Sequence, residues 1–293
     1  MPSDALKPDS APATSPDVAR HGVPHALQAL QAIVLREVIK FSQQTGRLLS
    51  ALVRPLLWLA VFAAGLHDVF GNAVVAPYDT AVPYDVYVAP GLIGMVLLFN
   101  GMQSSLAMVY DREMGLMRLL LTAPLPRAWL LFAKLCATAL LSVLQALAFV
   151  AIAALIGTSL PVLSLAGLHA LFALVCGALM LGALGLLLSV HIKQLENFAG
   201  TMNFVIFPMY FMSTALYPLW KLQSGAGWVY QAARCNPFTY AVEWIRFALY
   251  GKDPGMAPWV VLGSLVIFFG LACWGYDPQR GFGGLTKRGG GGS

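Results

Sequence analysis

A chain of 293 residues that is 58% hydrophobic and only 11% charged is not composed like a soluble domain, in which about a quarter of residues are charged. The net charge of +5 is spread beside apolar runs, so nucleic acid is not predicted as a partner. In lipid, only helices or closed barrels satisfy their backbone, and these runs lack the alternation of barrel strands. We therefore predict an all-α integral membrane protein.

The N-terminal region divides into a polar stretch and an amphipathic one. Residues 1–24 are rich in Pro, Ser, Ala and Asp and hold no apolar run, which predicts a disordered cytoplasmic tail and no signal peptide. Over residues 25–46 the pattern predicts a helix lying in the membrane interface. Its apolar residues recur at spacings of three and four: Leu27, Leu30, Val34, Val38 and Phe41. A soluble helix packed on a partner is the alternative.

Runs without charge predict five transmembrane helices, because a crossing needs roughly 20 apolar residues, and a sixth lies at residues 48–66 around Arg54. They occupy residues 48–66, 86–110, 129–156, 164–190, 197–219 and 256–276. Together with the interfacial helix they make one transmembrane domain, residues 25–276. Arg54, near one end of the first span, is expected to snorkel toward water. Residues 277–293 form a flexible tail whose GGGGS end is either native or an added linker.

The basic residues predict the orientation. Fourteen of the 18 Lys and Arg residues lie on one side of these spans, which places both termini in the cytoplasm. Polar residues within the second span, Asn100, Gln103 and Ser104, either contact other helices or line a translocation path. Small residues in the fourth span, Gly177, Gly182 and Gly185, favour close helix contact.

Several sequence motifs are absent. The chain has no GxxxxGK[ST], HExxH or GxSxG motif, and its four cysteines form no CxxC pair. No Asp or Glu lies mid-membrane in spans two to four, where a proton-coupled carrier would often keep one. We therefore predict no catalytic residue, metal site or cofactor in this chain. If it moves a solute uphill, the energy comes from elsewhere.

A charged segment interrupts the apolar chain after the second span. Residues 111–122 are long enough for about three helical turns, and Pro124 and Pro126 stop that helix. A short amphipathic rod joined to two spans can transmit a push from a cytoplasmic partner. An ordinary cytosolic connection is the alternative.

Three stretches carry a family resemblance that covers about residues 27–276. They are REMGLMRLLLTAPLPR, NPFTYAVEWIRFALYG and LENFAGTMNFVIFPMYFMSTALYPL. The chain resembles the permease subunits of type-2 ABC exporters (ABC-2), the group that includes nodulation-factor, polysaccharide and drug-export permeases. Within that group it looks closest to permeases found near quinoprotein alcohol-oxidation genes. Leu116 and Arg118 replace the family's usual Thr and Glu, which leaves the charge preference of the docking partner open.

The resemblance implies a coupling helix at about 111–122 that docks on a separate ABC ATP-binding subunit. Its residues would be Asp111, Arg112, Glu113, Gly115, Arg118, Leu119 and Leu120. That partner would bind ATP and Mg, and the interfacial helix would lie against it. Segment 221–253 would form two short helices that dip into the outer half of the membrane. Their motif residues are Asn236, Pro237, Glu243 and Arg246.

Glu243 and Arg246 lie three apart on one helix, where they can pair either buried or at an exposed interface. The resemblance also implies a homodimer, or a heterodimer with a paralogue, in lipid of a bacterial inner membrane. The function it implies is export driven by the partner's ATP hydrolysis. A secondary carrier, an integral-membrane enzyme and a non-transporting membrane anchor are the alternatives. Neither the substrate nor the direction of transport follows from the residues.

Overall fold

The computed structural model describes residues 23–43, 45–65, 75–80, 82–114, 126–158, 161, 165–192, 194–223 and 227–275. Within these ranges the chain forms ten helices and no strand, which confirms the all-α class. The helices are α1 Val23–Gln43, α2 Thr45–Gly65, α3 Tyr84–Glu113, α4 Arg127–Ile156, α5 Leu165–His191, α6 Leu195–Phe211, α7 Leu219–Gln223, α8 Gly227–Cys235, α9 Pro237–Leu249 and α10 Ala257–Gly275. Inner and outer are used below in the sense of the predicted orientation.

Four described helices are long and apolar enough to cross a membrane: α3, α4, α5 and α10. They match the spans predicted at 86–110, 129–156, 164–190 and 256–276 within three residues at each end. The main difference is that α3 continues through Glu113. Apolarity ends at Tyr110, but nothing in the next three residues breaks a helix.

The other two predicted spans look different in the structure, so the count of six is not confirmed. In α2, which covers Thr45–Gly65, the apolar part with described side chains is Leu52–Phe62, which is shorter than a membrane crossing needs. The span predicted at 197–219 corresponds to α6, which ends at Phe211 after 17 residues. Residues 212–218, here called the outer bend, are not helical. A prediction from charge-free runs cannot detect this break, because the outer bend contains no charged residue.

Helices α3 and α5 form the centre of the bundle. α3 packs against α2, α4, α5, α6 and α9, while α5 packs against α3, α4, α9 and α10. The two central helices approach closely where small residues face each other, because a Cβ on Gly185 would lie 2.7 Å from the carbonyl oxygen of Gly101. This confirms that the small residues of the fourth span serve helix contact.

The outer half of α3 packs directly on the outer bend. A Cβ added at Gly91 would lie 2.4 Å from the backbone oxygen of Ala215 and 2.8 Å from its Cα. Both are backbone atoms, so the obstruction cannot be relieved by a side-chain rotation. Any residue larger than glycine at position 91 therefore forces the outer bend away from α3.

We expect Gly91→Ala to lower the free energy of unfolding in detergent by about 2 kcal/mol, because overpacking a rigid contact costs about 1–3 kcal/mol. The matched control is Gly263→Ala in α10, where an added Cβ meets nothing within 4 Å. That control should be neutral or slightly stabilising, since alanine favours helix over glycine. Equal stability of the two variants in an SDS titration would contradict the close approach.

The amphipathic N-terminal helix packs on this chain's own bundle. α1 contacts α4 and α2, and its Phe41 is buried. On its outward side Leu27, Leu35 and Ile39 are each about half exposed or more. An apolar outward face next to the spans fits a helix that lies in the membrane interface.

Candidate functional site

The inner end of α3 presents three successive charged side chains, Asp111, Arg112 and Glu113. Successive helical residues point about 100° apart, so the three side chains reach different neighbours. All three were predicted as part of a separate coupling helix. The structure instead places them in the last turn of α3, directly before residues 115–125, which lie outside the described ranges.

Asp111 is the buried centre of an ion cluster. Its side chain is 3% exposed, and its carboxylate lies 3.5 Å from Lys134, 3.6 Å from Lys40 and 3.8 Å from Arg36. Lys134 belongs to α4, and the other two cations belong to α1. A single carboxylate thus fastens the interfacial helix and the start of α4 to the end of α3.

Arg112 and Glu113 extend the connection to two more helices. The Arg112 guanidinium donates a hydrogen bond to the carbonyl oxygen of Ser189, near the end of α5. Glu113 Oε1 accepts the backbone N–H of Leu195, the first residue of α6, at 2.9 Å. Gln194 at the N-cap of α6 makes no side-chain capping bond, so Glu113 satisfies one of the donors left open there.

We call Asp111, Arg112 and Glu113 with their partners the inner junction. This junction joins α3 to α1, α4, α5 and α6. The remaining residues predicted for the coupling helix are outside the described part of the chain: Gly115, Arg118, Leu119 and Leu120. Their role stays a prediction. The partners of the junction come from distant parts of the sequence, and no local pattern marks them.

The outer end of the bundle carries the second predicted motif. Asn236 caps α9, because its side-chain oxygen accepts the backbone N–H of Phe238 at 3.0 Å. Pro237 occupies the first turn of α9, where its missing N–H costs no hydrogen bond. The amide nitrogen of Asn236 donates to the carbonyl oxygens of Met209 at 2.7 Å and Met212 at 2.9 Å. Asn236 thus joins α9 to the end of α6.

The structure shows which of the two arrangements the Glu243–Arg246 pair adopts. The Arg246 side chain is 1% exposed and lies 2.8 Å from Glu243, which is itself 23% exposed. Arg246 also donates to the carbonyl oxygen of Thr214 at 2.8 Å, and its guanidinium lies 4.2 Å from the centre of the Tyr87 ring. The pair is therefore buried on the arginine side and holds the outer bend.

Tyrosines complete this outer site, and the sequence reasoning missed them. Tyr84 donates to the carbonyl oxygen of Leu216 at 2.9 Å, and Tyr87 donates to that of Thr214 at 3.2 Å. Burial raises the pKa of Tyr78, whose hydroxyl donates to the carbonyl oxygen of Val86 at 3.3 Å. The available sequence signal was the cluster of tyrosines around the start of the second span.

The polar residues of α3 divide between the two interpretations offered for them. Asn100 donates to Ser142 at 2.7 Å, and Ser104 bonds Thr138 at 2.6 Å, so both serve contact with α4. Gln103 instead lines a cleft together with Arg54 of α2. Among the residues that the structure describes, no three His, Cys, Asp or Glu side chains lie close enough to hold a metal ion.

These features define an all-α integral membrane protein whose charged groups join its helices at two ends. The sequence profile described as "ABC-2 type transporter" matches residues 28–250. The chain therefore belongs to the ABC-2 type transporter family and is a transport permease of that family.

Two algal relatives support this assignment, each named "Putative transport permease ycf38". The protein of Porphyra purpurea is 31% identical over 230 residues, which cover 78% of this chain and 76% of the relative. The protein of Cyanophora paradoxa is 31% identical over 244 residues, which cover 82% of this chain and 78% of the relative.

Proposed function

We propose that this chain is the membrane-spanning subunit of an ABC exporter, in which a separate ATPase subunit supplies the energy. The observation that carries the proposal is the inner junction, where three successive side chains of α3 bind four other helices. A displacement applied to the segment after Glu113 would therefore move most of the inner face of the bundle. The partner would bind ATP and Mg, since this chain has no P-loop.

The mechanism needs two arrangements of the helices with different affinities for the partner. The ATPase would dock on the segment following α3 and, when it closes, pull the inner junction with it. At the far end, Arg246 and Asn236 hold the outer bend by donating to the backbone carbonyl groups of Thr214 and Met212. A bend that is not helical can change shape without breaking a helix, which suits a gate at the outer face.

The assembly that this proposal requires contains two copies of the permease, or one copy and a paralogue, with two ATPase subunits. We place it in a bacterial inner membrane with both termini in the cytoplasm. Lipid contacts the apolar outward faces of α1 and α10, where Leu35 and Trp259 are strongly exposed.

Glu113→Ala is expected to uncouple the complex. The variant should still purify with its cognate ATPase and hydrolyse ATP. Its ATP-dependent change in label fluorescence, which reports movement of the outer face, should fall at least tenfold. The readout is ATP-dependent fluorescence of a label on Cys235, which is exposed on α8. The label is attached after Cys136 and Cys273 have been replaced by alanine. Gly115→Pro should uncouple in the same way.

The matched control is Glu196→Ala, one residue from Leu195. The Glu196 carboxylate is exposed and makes no hydrogen bond among the described residues. The control should behave like the unsubstituted protein. A full fluorescence response in Glu113→Ala would contradict the coupling role of the inner junction. Gradient-driven transport by the chain alone in liposomes, without an ATPase, would favour the secondary carrier instead.

A further inference from the structure

The ion cluster around Asp111 holds more positive than negative charge. Arg36, Lys40 and Lys134 lie 3.5–3.8 Å from its carboxylate. Glu37 is also close enough to Lys134 to interact with its charge. Within the described part of the chain the cluster thus contains three cations and two carboxylates, and its formal charge is +1. The proposed coupling does not use this excess, which can attract an anion from outside the chain.

The two cations of α1 keep hydrogen-bond donors for an external acceptor. Arg36 and Lys40 lie 3.8 Å and 3.6 Å from the Asp111 carboxylate, whereas a charge-assisted hydrogen bond measures about 2.7–2.9 Å. Their side chains are 48% and 32% exposed. Since guanidinium and ammonium groups each carry several N–H donors, both side chains can bind an anion without leaving Asp111.

The cluster lies at the edge of the apolar layer. The charge-free run of α3 ends at Tyr110, directly before Asp111, and that of α4 begins at Leu135, directly after Lys134. A hydrocarbon core about 30 Å thick is flanked by the polar headgroups of the lipids. Residues at the boundary between charged and charge-free segments therefore lie at headgroup level. The predicted orientation makes this the cytoplasmic leaflet.

An exposed apolar stripe runs beside the two cations of α1. Leu35 and Ile39 are 60% and 47% exposed, and each directly precedes one of the cations. Residues four apart share a face of a helix, and successive residues point about 100° apart, so the basic and the apolar pair form adjacent stripes. A phospholipid offers a phosphate next to acyl chains and so matches both stripes. An acidic soluble partner would match only the basic stripe.

We propose that Arg36 and Lys40 bind the phosphate of an anionic phospholipid from the cytoplasmic leaflet, with its acyl chains along Leu35 and Ile39. Basic residues beside an anionic leaflet are attracted to it. The two cations then lie between two anions, the Asp111 carboxylate inside the bundle and the phosphate outside it. The lipid thereby fastens α1 to the membrane surface, while Asp111 fastens it to α3. This inference goes beyond the proposed function, because the lipid site needs no ATPase.

The test measures which lipids the full chain retains. Native mass spectrometry follows incubation with equal amounts of phosphatidylglycerol and phosphatidylcholine that carry the same acyl chains. The unsubstituted protein should retain phosphatidylglycerol in preference, because the choline group cancels the charge of its phosphate. Arg36→Gln and Lys40→Gln should each lower the ratio of the two retained lipids about fivefold, as expected for one basic residue at an anionic surface. The double variant should lose the preference, and Arg36→Lys should keep most of it.

The placement of the acyl chains is tested separately at Leu35. Leu35→Gln should lower the retention of both lipids alike and leave their ratio unchanged, because it alters the apolar stripe and no charge. A lower ratio in this variant would contradict the placement of the chains along α1. All the substituted side chains are partly exposed, so the variants should fold, and the SDS titration used for Gly91→Ala checks this.

The matched controls are Arg234→Gln and Lys252→Gln, which each remove an exposed cation at the outer end of the bundle. Both should keep the lipid ratio of the unsubstituted protein. If the double variant Arg36→Gln with Lys40→Gln also keeps that ratio, the proposal is overturned. An unchanged lipid ratio together with loss of ATPase co-purification in the double variant would assign the two cations to the ATPase instead.

Competition distinguishes a lipid from a free anion. Displacement of phosphatidylglycerol by inorganic phosphate as effectively as by dodecyl phosphate would overturn the requirement for acyl chains. The lipid measurement uses the chain without the ATPase, so its failure leaves the proposed coupling intact. Conversely, Glu113→Ala should keep the lipid ratio of the unsubstituted protein while losing the fluorescence response to ATP.

Discussion

Replacing Asp111 with asparagine should lower the free energy of unfolding by about 2 kcal/mol and release α1 from the bundle. Asparagine keeps the shape of the side chain but removes the charge that faces Arg36, Lys40 and Lys134. Arg36 and Lys40 are 48% and 32% exposed, so water compensates much of their loss. Lys134 is 14% exposed, so its uncompensated charge accounts for most of the cost.

Two measurements check this expectation. An SDS titration gives the loss of stability, and limited trypsin digestion reports release of α1, since Arg36 and Lys40 become accessible to the protease. The matched control is Asp79→Asn, which breaks the Asp79–Lys252 pair at 2.9 Å, where the side chains are 79% and 45% exposed. An exposed pair contributes little, so that variant should be unchanged. Comparable losses in the two variants would show that burial of Asp111 has no special effect.

Arg246→Met should destabilise the outer end of the bundle more strongly, by about 3 kcal/mol. Methionine fills a similar volume but leaves the Glu243 carboxylate without its partner and removes one donor from the Thr214 carbonyl group. Because Tyr87 still donates to that carbonyl group at 3.2 Å, the loss of the ion pair dominates. The result is measured by the same SDS titration.

A double-mutant cycle separates the ion pair from the other contacts of Arg246. Glu243→Gln alone leaves a buried guanidinium without a counter-charge, so it too should be destabilising. The double variant Glu243→Gln with Arg246→Met contains no unpaired charge, and we expect it to lose less stability than the sum of the single variants. Strict additivity would mean that the two side chains do not interact. Arg234→Met, at an exposed arginine, controls for loss of charge alone.

The distribution of charge and apolar residues was enough to predict the class of protein, the positions of four spans and the interfacial helix. These are local properties, because hydropathy and the 3.6-residue period act within one segment. The cap of α9 was equally local, since an asparagine followed by proline marks a helix start. The resemblance to the ABC-2 permeases rested on short motifs of the same kind, and the family match confirms it.

Other features depended on contacts between distant segments. Glu113 meets Leu195 across 82 positions, and Tyr84 meets Leu216 across 132. Residues 213–216 of the outer bend are buried without being helical, and hydrogen bonds from α3 and α9 to their carbonyl groups make this possible. The contact of Arg54 with the Phe99 ring likewise appears only when α2 lies against α3.

The sequence by itself thus determined that this chain is a helical membrane protein, because burial in lipid requires long apolar helices whatever their arrangement. Only the tertiary structure decided which polar groups meet: the three charged residues that join the end of α3 to four other helices, and the arginine that holds the outer bend. Partner choice depends on the distances between helices, and those distances are set by packing across the whole bundle.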